Sequence, residues 1–169
     1  ISGYTHRDST TESFEYDDQG RMTSYTNRFG LTVTRTYTQD GNDLEIIERD
    51  STGGTRKMIY LKSGLRKYLK DWSGAEYRYA YNIHGQLIES RLPNGSSYQY
   101  TYDDLGNIRN KRSPNGSIIR YQYNDFHQIT HKVDENGNAW EYVRDSSGNL
   151  LSLIQPDGSA NSMTYDARG

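Results

Sequence analysis

The sequence contains no cysteine and only three prolines among its 169 residues. Without cysteine the chain has neither disulfides nor thiolate metal sites, an absence that is compatible with any compartment. No run of about 18 apolar residues is present, so a membrane-spanning helix is not expected. Neither sign of charge dominates, with 20 basic against 22 acidic residues, which argues against nucleic acid as a partner.

Aliphatic residues are also scarce, since Leu, Ile, Val and Phe make up only 28 of the 169 residues. At this level disorder becomes a serious alternative. Disordered chains combine few aromatics with a high net charge, whereas this one has 16 Tyr, 2 Trp and a net charge of −2. Because Tyr buries its ring and leaves its hydroxyl in water, this composition favours a half-buried β-sheet.

Three columns of residues recur with a period of 21. The first column consists of Gly20, Gly41, Gly64, Gly85, Gly106, His127, Gly148 and Gly169. Four residues before these positions stand Tyr16, Tyr37, Tyr60, Tyr81, Tyr102, Tyr123, Arg144 and Tyr165. The third column, ten residues after the first, contains Gly30, Gly74, Gly95, Gly116, Gly137 and Gly158. These columns define about seven repeats from residue 20, and their glycines and tyrosines are the predicted structural positions. The one longer step, 23 residues from Gly41 to Gly64, predicts two extra residues in the loop at 50–54.

Each repeat has the pattern of one β-hairpin. In residues 87–106 a mixed strand is followed by Pro93-Asn94-Gly95, which predicts a type I turn closed by a glycine bulge. Residues 97–102 then alternate with period two and place three tyrosines on one face. Successive hairpins must pair side by side, because a lone hairpin is marginal in water. The sequence therefore predicts tandem antiparallel hairpins in a curved, twisted strip, with aligned ladders such as Tyr79, Tyr100, Tyr121 and Tyr142.

Several residue groups could carry chemistry, and each has a simpler structural explanation. Adjacent carboxylates at 17–18 and 103–104 recur at a turn column, where Asp caps its own backbone. The acidic loops at 40–43 and 134–138 lack the spacing of a calcium-binding EF-hand. His127 and His131 would lie about 13 Å apart on a strand, too far to share a metal. We predict no catalytic, cofactor-binding or metal site and no enzymatic activity, although tyrosine ladders at the ends of the strip could stack on sugars.

The repeat also contains a recognisable motif. Residues 16–22 (YDDQGRM), 102–108 (YDDLGNI) and 165–169 (YDARG) look like the YD motif, with Pro-Asn-Gly or Pro-Asp-Gly about ten residues on. In this respect residues 12–169 resemble the RHS/YD-repeat family, which includes bacterial Rhs polymorphic toxins, Tc toxin C components, wall-associated proteins and teneurins. The departures are local: His127 replaces Gly, Arg144 replaces Tyr, and Leu44 and Leu65 are shifted by one place.

This resemblance implies a spiral, hollow β-shell, which in the toxin members encloses a C-terminal toxic domain. We therefore expect residues 1–169 to be a single repeat array from a larger secreted or cell-surface protein. Its partners would be the flanking repeats and the C-terminal cargo domain, and no cofactor is implied. The alternative is a cell-surface module that binds a glycan or another protein.

Overall fold

The computed structural model describes residues 2–166, so the last predicted motif is only partly covered and Gly169 lies outside the described residues. Within 2–166 the regular structure consists of sixteen β-strands. The strand pairs are antiparallel throughout, as for β10 with β11 and β12 with β13. The predicted fold of tandem antiparallel β-hairpins is confirmed. In the same residues no helix is long and apolar enough to cross a membrane.

The chain divides into two compact units, one of residues 1–80 with 91–94 and one of residues 81–90 with 95–169. Strands follow one another in chain order within each unit. The first unit holds β1 (Ser2–Thr5), β2 (Thr11–Tyr16), β3 (Met22–Thr26), β4 (Thr32–Asp40), β5 (Asp43–Asp50), β6 (Thr55–Leu61), β7 (Arg66–Lys70) and all but the last residue of β8 (Glu76–Tyr81). The second holds β9 (Leu87–Arg91) except its last residue, β10 (Ser97–Tyr102), β11 (Ile108–Arg112), β12 (Ile118–Tyr123), β13 (Ile129–Val133), β14 (Ala139–Arg144), β15 (Leu150–Ile154) and β16 (Ala160–Ser162).

The hairpin turns share one backbone geometry. At 103–107 the Asp103 amide donates to the carbonyl of Asn107 at 2.9 Å, and the Gly106 amide donates to the carbonyl of Asp103 at 3.0 Å. Gly106 has φ +87°, a value that favours glycine because L side chains are disfavoured there. These bonds define a type I turn with a glycine bulge. The same pair of bonds recurs in the turns that begin at residues 17, 27, 50, 61, 71, 82, 113, 124, 134, 145 and 155.

The longer repeat differs from this plan in its strands, and the predicted enlargement of the loop at 50–54 is wrong. The turn at 50–54 has the ordinary five-residue geometry. The two extra residues lengthen β5, which has 8 residues, whereas β9 has 5. At the other end of β5, Asp40 pairs directly with Asp43 across a two-residue turn. A first central Gly41 at φ +57° is typical of a type II′ turn.

The sheet in each unit buries few side chains. Among the described residues only Met58 and Glu48 are buried, at 5% and 2% exposure. Along β10 the tyrosines are half-buried, while Gln99 and Thr101 between them are exposed. The same alternation occurs along β12 and β14. In the first unit, residues 33–37 of β4 and 76–79 of β8 alternate in the same way. One face of each unit is therefore richer in aromatic residues and better covered, and we call it the tyrosine face.

Candidate functional site: the tyrosine face and its charged cavity

The predicted repeat residues lie either in turns with left-handed backbone or in and beside the strands. The column glycines Gly20, Gly41, Gly64, Gly85, Gly95, Gly106, Gly116, Gly137, Gly148 and Gly158 all have positive φ. The column tyrosines Tyr16, Tyr60, Tyr81, Tyr102 and Tyr123 lie in or near the last position of a strand, Tyr37 lies within β4, and Tyr165 follows β16. His127 takes the glycine conformation at φ 61°, so the turn survives the replacement.

A tyrosine hydroxyl joins neighbouring repeats, a contact that the sequence analysis did not anticipate. Tyr102 donates to the carbonyl of Leu87 at 2.8 Å, and Tyr123 donates to that of Ile108 at 3.1 Å. Both contacts span 15 residues. The same bond is made by Tyr37 to Met22 at 2.8 Å and by Tyr165 to Leu150 at 2.9 Å. The column tyrosine thus ties each of these hairpins to the one before it.

Three of the accepting carbonyls, those of Met22, Ile108 and Leu150, lie beside β-bulges. In the β10–β11 pair, Thr101 is opposite Asn110 and Tyr102 is opposite Ile108, so one extra residue is left between the two partners. The same shift occurs at the column residue of β2–β3, β6–β7, β12–β13 and β14–β15. A bulge disrupts the ladder locally, and a backbone carbonyl there needs another donor. The tyrosine hydroxyl supplies that donor.

The predicted direct ladders of tyrosines are wrong, because another strand lies between the equivalent positions of successive repeats. Tyr100 pairs with Lys111 across β10 and β11, and Lys132 pairs with Trp140 across β13 and β14. The Lys132 Nζ lies 4.8 Å from the centre of the Trp140 ring, a cation–π distance. On the tyrosine face of the second unit, lysines therefore lie directly beside aromatic rings.

Burial affects the titration of this face. Burial raises the pKa of Tyr102 above its usual value. The pKa of Tyr100 and of Tyr123 is raised mainly by burial, with the neighbouring Tyr98 and Tyr121 adding to the effect. These phenols are consequently neutral hydrogen-bond donors near neutral pH.

The first carboxylate of each adjacent pair caps a β-turn. Asp103 Oδ1 accepts hydrogen bonds from the amides of Leu105 at 3.1 Å and Asn107 at 2.8 Å. The side-chain hydrogen bond from Asn107 is the main cause that lowers the pKa of Asp103. Asp17 caps its turn in the same way. This geometry uses the carboxylate oxygens within their own loop and accounts for the Asp column without catalysis.

The histidines and the acidic loop at 134–138, for which no metal site was predicted, make local contacts. His127 Nδ1 lies 2.8 Å from Asn107 Oδ1, and His131 Nδ1 lies 3.2 Å from Thr130 Oγ1. Asp134 Oδ1 accepts from the backbone of Asn136 and Asn138, each at 2.9 Å. Across residues 2–166 no group of three or more His, Cys, Asp or Glu side chains is placed to hold a metal ion.

A charged cavity of about 180 Å³ lies on the tyrosine face of the first unit. Glu48 of β5 is directly opposite Arg35 of β4 and Arg56 of β6. Arg35 Nε donates to Glu48 Oε1 at 2.6 Å. Arg56 Nε lies 2.7 Å from Glu48 Oε2 as an ion pair, although the direction of its N–H does not give a hydrogen bond. Trp72 lines the cavity, with the Arg56 guanidinium 5.6 Å from its ring centre.

The sequence analysis missed this cavity. Arg35, Glu48 and Arg56 are separated by 13 and 8 residues, and only the register of three strands brings them together. The available signal was the two-residue insertion, since the longer β5 carries Glu48. The cavity therefore lies where the repeat departs from its own pattern.

Comparison with known proteins agrees with this architecture. A family model described as teneurin YD-shell matches residues 66–167. The solved structure "Crystal Structure of TcdB2-TccC3 without hypervariable C-terminal region" is similar with a TM-score of 0.69 and 15% identity, over 96% of this chain and 10% of that one. "Crystal Structure of TcdB2-TccC3" gives a TM-score of 0.65 and 16% identity, over 89% of this chain and 9% of that one. No curated protein matches.

These likenesses differ in what they establish. At 15–16% identity the solved structures show a shared fold alone, and the chain spans about a tenth of their length. The family model, in contrast, covers more than half of the chain. Together with the 21-residue hairpins, it shows that the chain belongs to the YD-shell family of RHS/YD repeats and is a structural segment of such a shell.

Proposed function

We propose that this chain forms part of the wall of a β-shell that encloses a C-terminal toxin or effector domain of its parent protein. In this proposal residues 1–169 are one continuous repeat array without enzymatic activity. The parent is secreted or displayed at the cell surface. The partners of the array are the flanking repeats and the enclosed domain.

The observation that carries this proposal is a single sheet layer with two unlike faces. Stable domains bury the apolar side of a sheet against a second layer. Here the tyrosine face of each unit is only half-buried, and the described residues include just two buried side chains. The wall of a shell has this form, because one face of its sheet lies against the domain that the shell encloses.

Steric enclosure is tested by protease protection in the full-length parent. The double variant Gly95→Pro with Tyr100→Asp should open the wall, since Gly95 has φ +83° and proline fixes φ near −65°. The second change places a charge on the tyrosine face. We expect added protease to cleave the C-terminal domain of the variant and to spare that of the unaltered parent.

Gln99→Asp is the matched control, because Gln99 is the exposed neighbour of Tyr100 on the opposite face. It should leave protection unchanged. If the opened variant protects its C-terminal domain as well as the parent does, the enclosure proposal fails. Saturable binding of the chain to a glycan array, lost on Trp72→Ala, would instead support the surface-binding alternative.

A further inference from the structure

The most buried side chain among residues 2–166 is a charged one. Glu48 is 2% exposed and lies between two arginines on the tyrosine face. Burying a paired carboxylate is often less stabilising than burying an apolar side chain of similar volume. The neighbouring repeats hold their half-buried faces with tyrosines, lysines and aliphatic residues. Stability alone therefore does not account for this arrangement.

The two arginines retain binding capacity. Each approaches Glu48 through Nε, which engages one of the three guanidinium nitrogens. The Arg35 side chain also interacts with the side chain of Tyr37. Arg35 and Arg56 are 31% and 32% exposed, which leaves them within reach of a ligand. Two positive charges against one negative charge give the cluster a net charge of +1. Planar guanidinium groups of this kind bind carboxylates with paired hydrogen bonds.

The rest of the cavity lining determines which part of a ligand, beyond its carboxylate, can bind there. Trp72, Tyr25 and Val33 contribute an aromatic and aliphatic lining. Both oxygens of Glu48 already face arginines, so the charged groups of the cavity present donors to a ligand. Sugar hydroxyls require both, whereas the methylene and carboxylate of an acidic side chain require an apolar wall and donors. The volume of about 180 Å³ accommodates one such side chain.

We propose that the Arg35–Glu48–Arg56 cavity binds the carboxylate of an acidic polypeptide side chain. This inference rests on the proposed wall function, in which the tyrosine face looks onto an enclosed polypeptide. The cavity is then an anchoring point for that polypeptide at the longer repeat. Glu48 orients both guanidinium groups and moderates their charge, so that binding is weak and reversible.

Binding can be followed by tryptophan fluorescence in the chain with Trp140→Phe, which leaves Trp72 as its tryptophan. The probe is an end-blocked Gly-Leu-Glu-Leu-Gly peptide, and the control peptide carries Gln in place of Glu. We expect a saturable change in Trp72 emission with the Glu peptide. The Gln peptide should bind at least tenfold more weakly, and added salt should weaken the binding of the Glu peptide.

Three variants in the same background make the test specific. Glu48→Gln should tighten binding of the Glu peptide about tenfold, because it removes a like charge a few ångströms from the ligand. Arg56→Gln should weaken binding about tenfold or more. Arg49→Gln removes the exposed arginine next to Glu48 in the sequence and should have no effect. Circular dichroism melting establishes that each variant is folded.

The proposal is overturned if neither peptide gives a saturable change, or if the two peptides bind equally. It is also overturned if folded Glu48→Gln binds the Glu peptide no more tightly than its parent. Saturable binding of oligogalacturonate without peptide binding would assign the cavity to acidic glycans. The wall function is judged separately by protease protection after changes at Gly95 and Tyr100, which lie outside this cavity.

Discussion

The tyrosine that ties one hairpin to the next provides the sharpest energetic prediction. Tyr102→Phe keeps the ring and removes the hydroxyl that donates to the Leu87 carbonyl at 2.8 Å. Because the carbonyl then loses the hydroxyl that donates to it, we expect a cost of about 1 kcal/mol in the free energy of unfolding. Tyr102→Ala removes the ring as well.

The cost of losing the ring follows from its partial burial. A buried tyrosine covers roughly 150–250 Å², and the side chain of Tyr102 is half-buried. About 100 Å² of covered surface at about 25 cal/mol per Å² contributes about 2.5 kcal/mol. With the hydrogen bond, Tyr102→Ala should therefore lower the free energy of unfolding by about 3.5 kcal/mol.

Urea unfolding followed by far-UV circular dichroism measures these differences directly. Gln99→Ala, on the exposed face of the same strand, should cost less than about 0.5 kcal/mol. Tyr123→Phe is a second copy of the hydroxyl test, since Tyr123 donates to Ile108 at 3.1 Å. If Tyr102→Phe is as stable as the parent and Tyr102→Ala matches Gln99→Ala, the tie between hairpins contributes nothing and our reasoning is refuted.

Three further outcomes follow from the turns and the phenols. His127→Gly should stabilise the chain by up to about 1 kcal/mol, and Gly116→Ala should destabilise it by about 1–2 kcal/mol. The reason is that left-handed backbone, at φ 61° and φ +87° respectively, disfavours L side chains. Urea midpoints that move in the opposite directions would contradict this. The lowered pKa of Asp103 means that its stabilising contribution is present above its usual pKa of 3.8 and is lost as pH falls through the folded value. Asp103→Asn should reduce this acid dependence and keep the turn, because Asn82 caps its own turn from the equivalent position. Melting curves between pH 2 and 5 would reveal the difference. The raised pKa of Tyr102 predicts that stability falls as pH rises above about 10, and the fall should be smaller in Tyr102→Phe when melting is compared at pH 9 and pH 11.

Local chemistry explains why the hairpins could be predicted from the sequence. Turn geometry depends on a few adjacent residues, such as Asp103 at the first position and Gly106 at positive φ. Period-two alternation likewise assigned Gln99 and Tyr100 to opposite faces, as the structure has them. These features need no knowledge of distant partners, so a single sequence contains enough information.

The contacts between repeats could not be obtained in this way. The direct tyrosine ladders were expected because a 21-residue period aligns Tyr100 with Tyr121. In the structure the intervening β11 pairs Lys111 with Tyr100 on one side and with Ile119 on the other. The partner of the Tyr123 hydroxyl depends on where the bulge between β10 and β11 falls. The neighbours of Glu48 depend on the register of three strands. Register is decided by cooperative pairing over the whole sheet, which residue columns do not specify.

If the tyrosine face of the wall contacts an enclosed domain, photocrosslinking in the full-length parent will join the two. A benzophenone side chain would replace either Tyr100 or Gln99, neighbours on opposite faces of β10. We expect crosslinks from position 100 to peptides of the C-terminal domain and none from position 99. Crosslinks from position 99 alone, or from neither position in a folded parent, would contradict it.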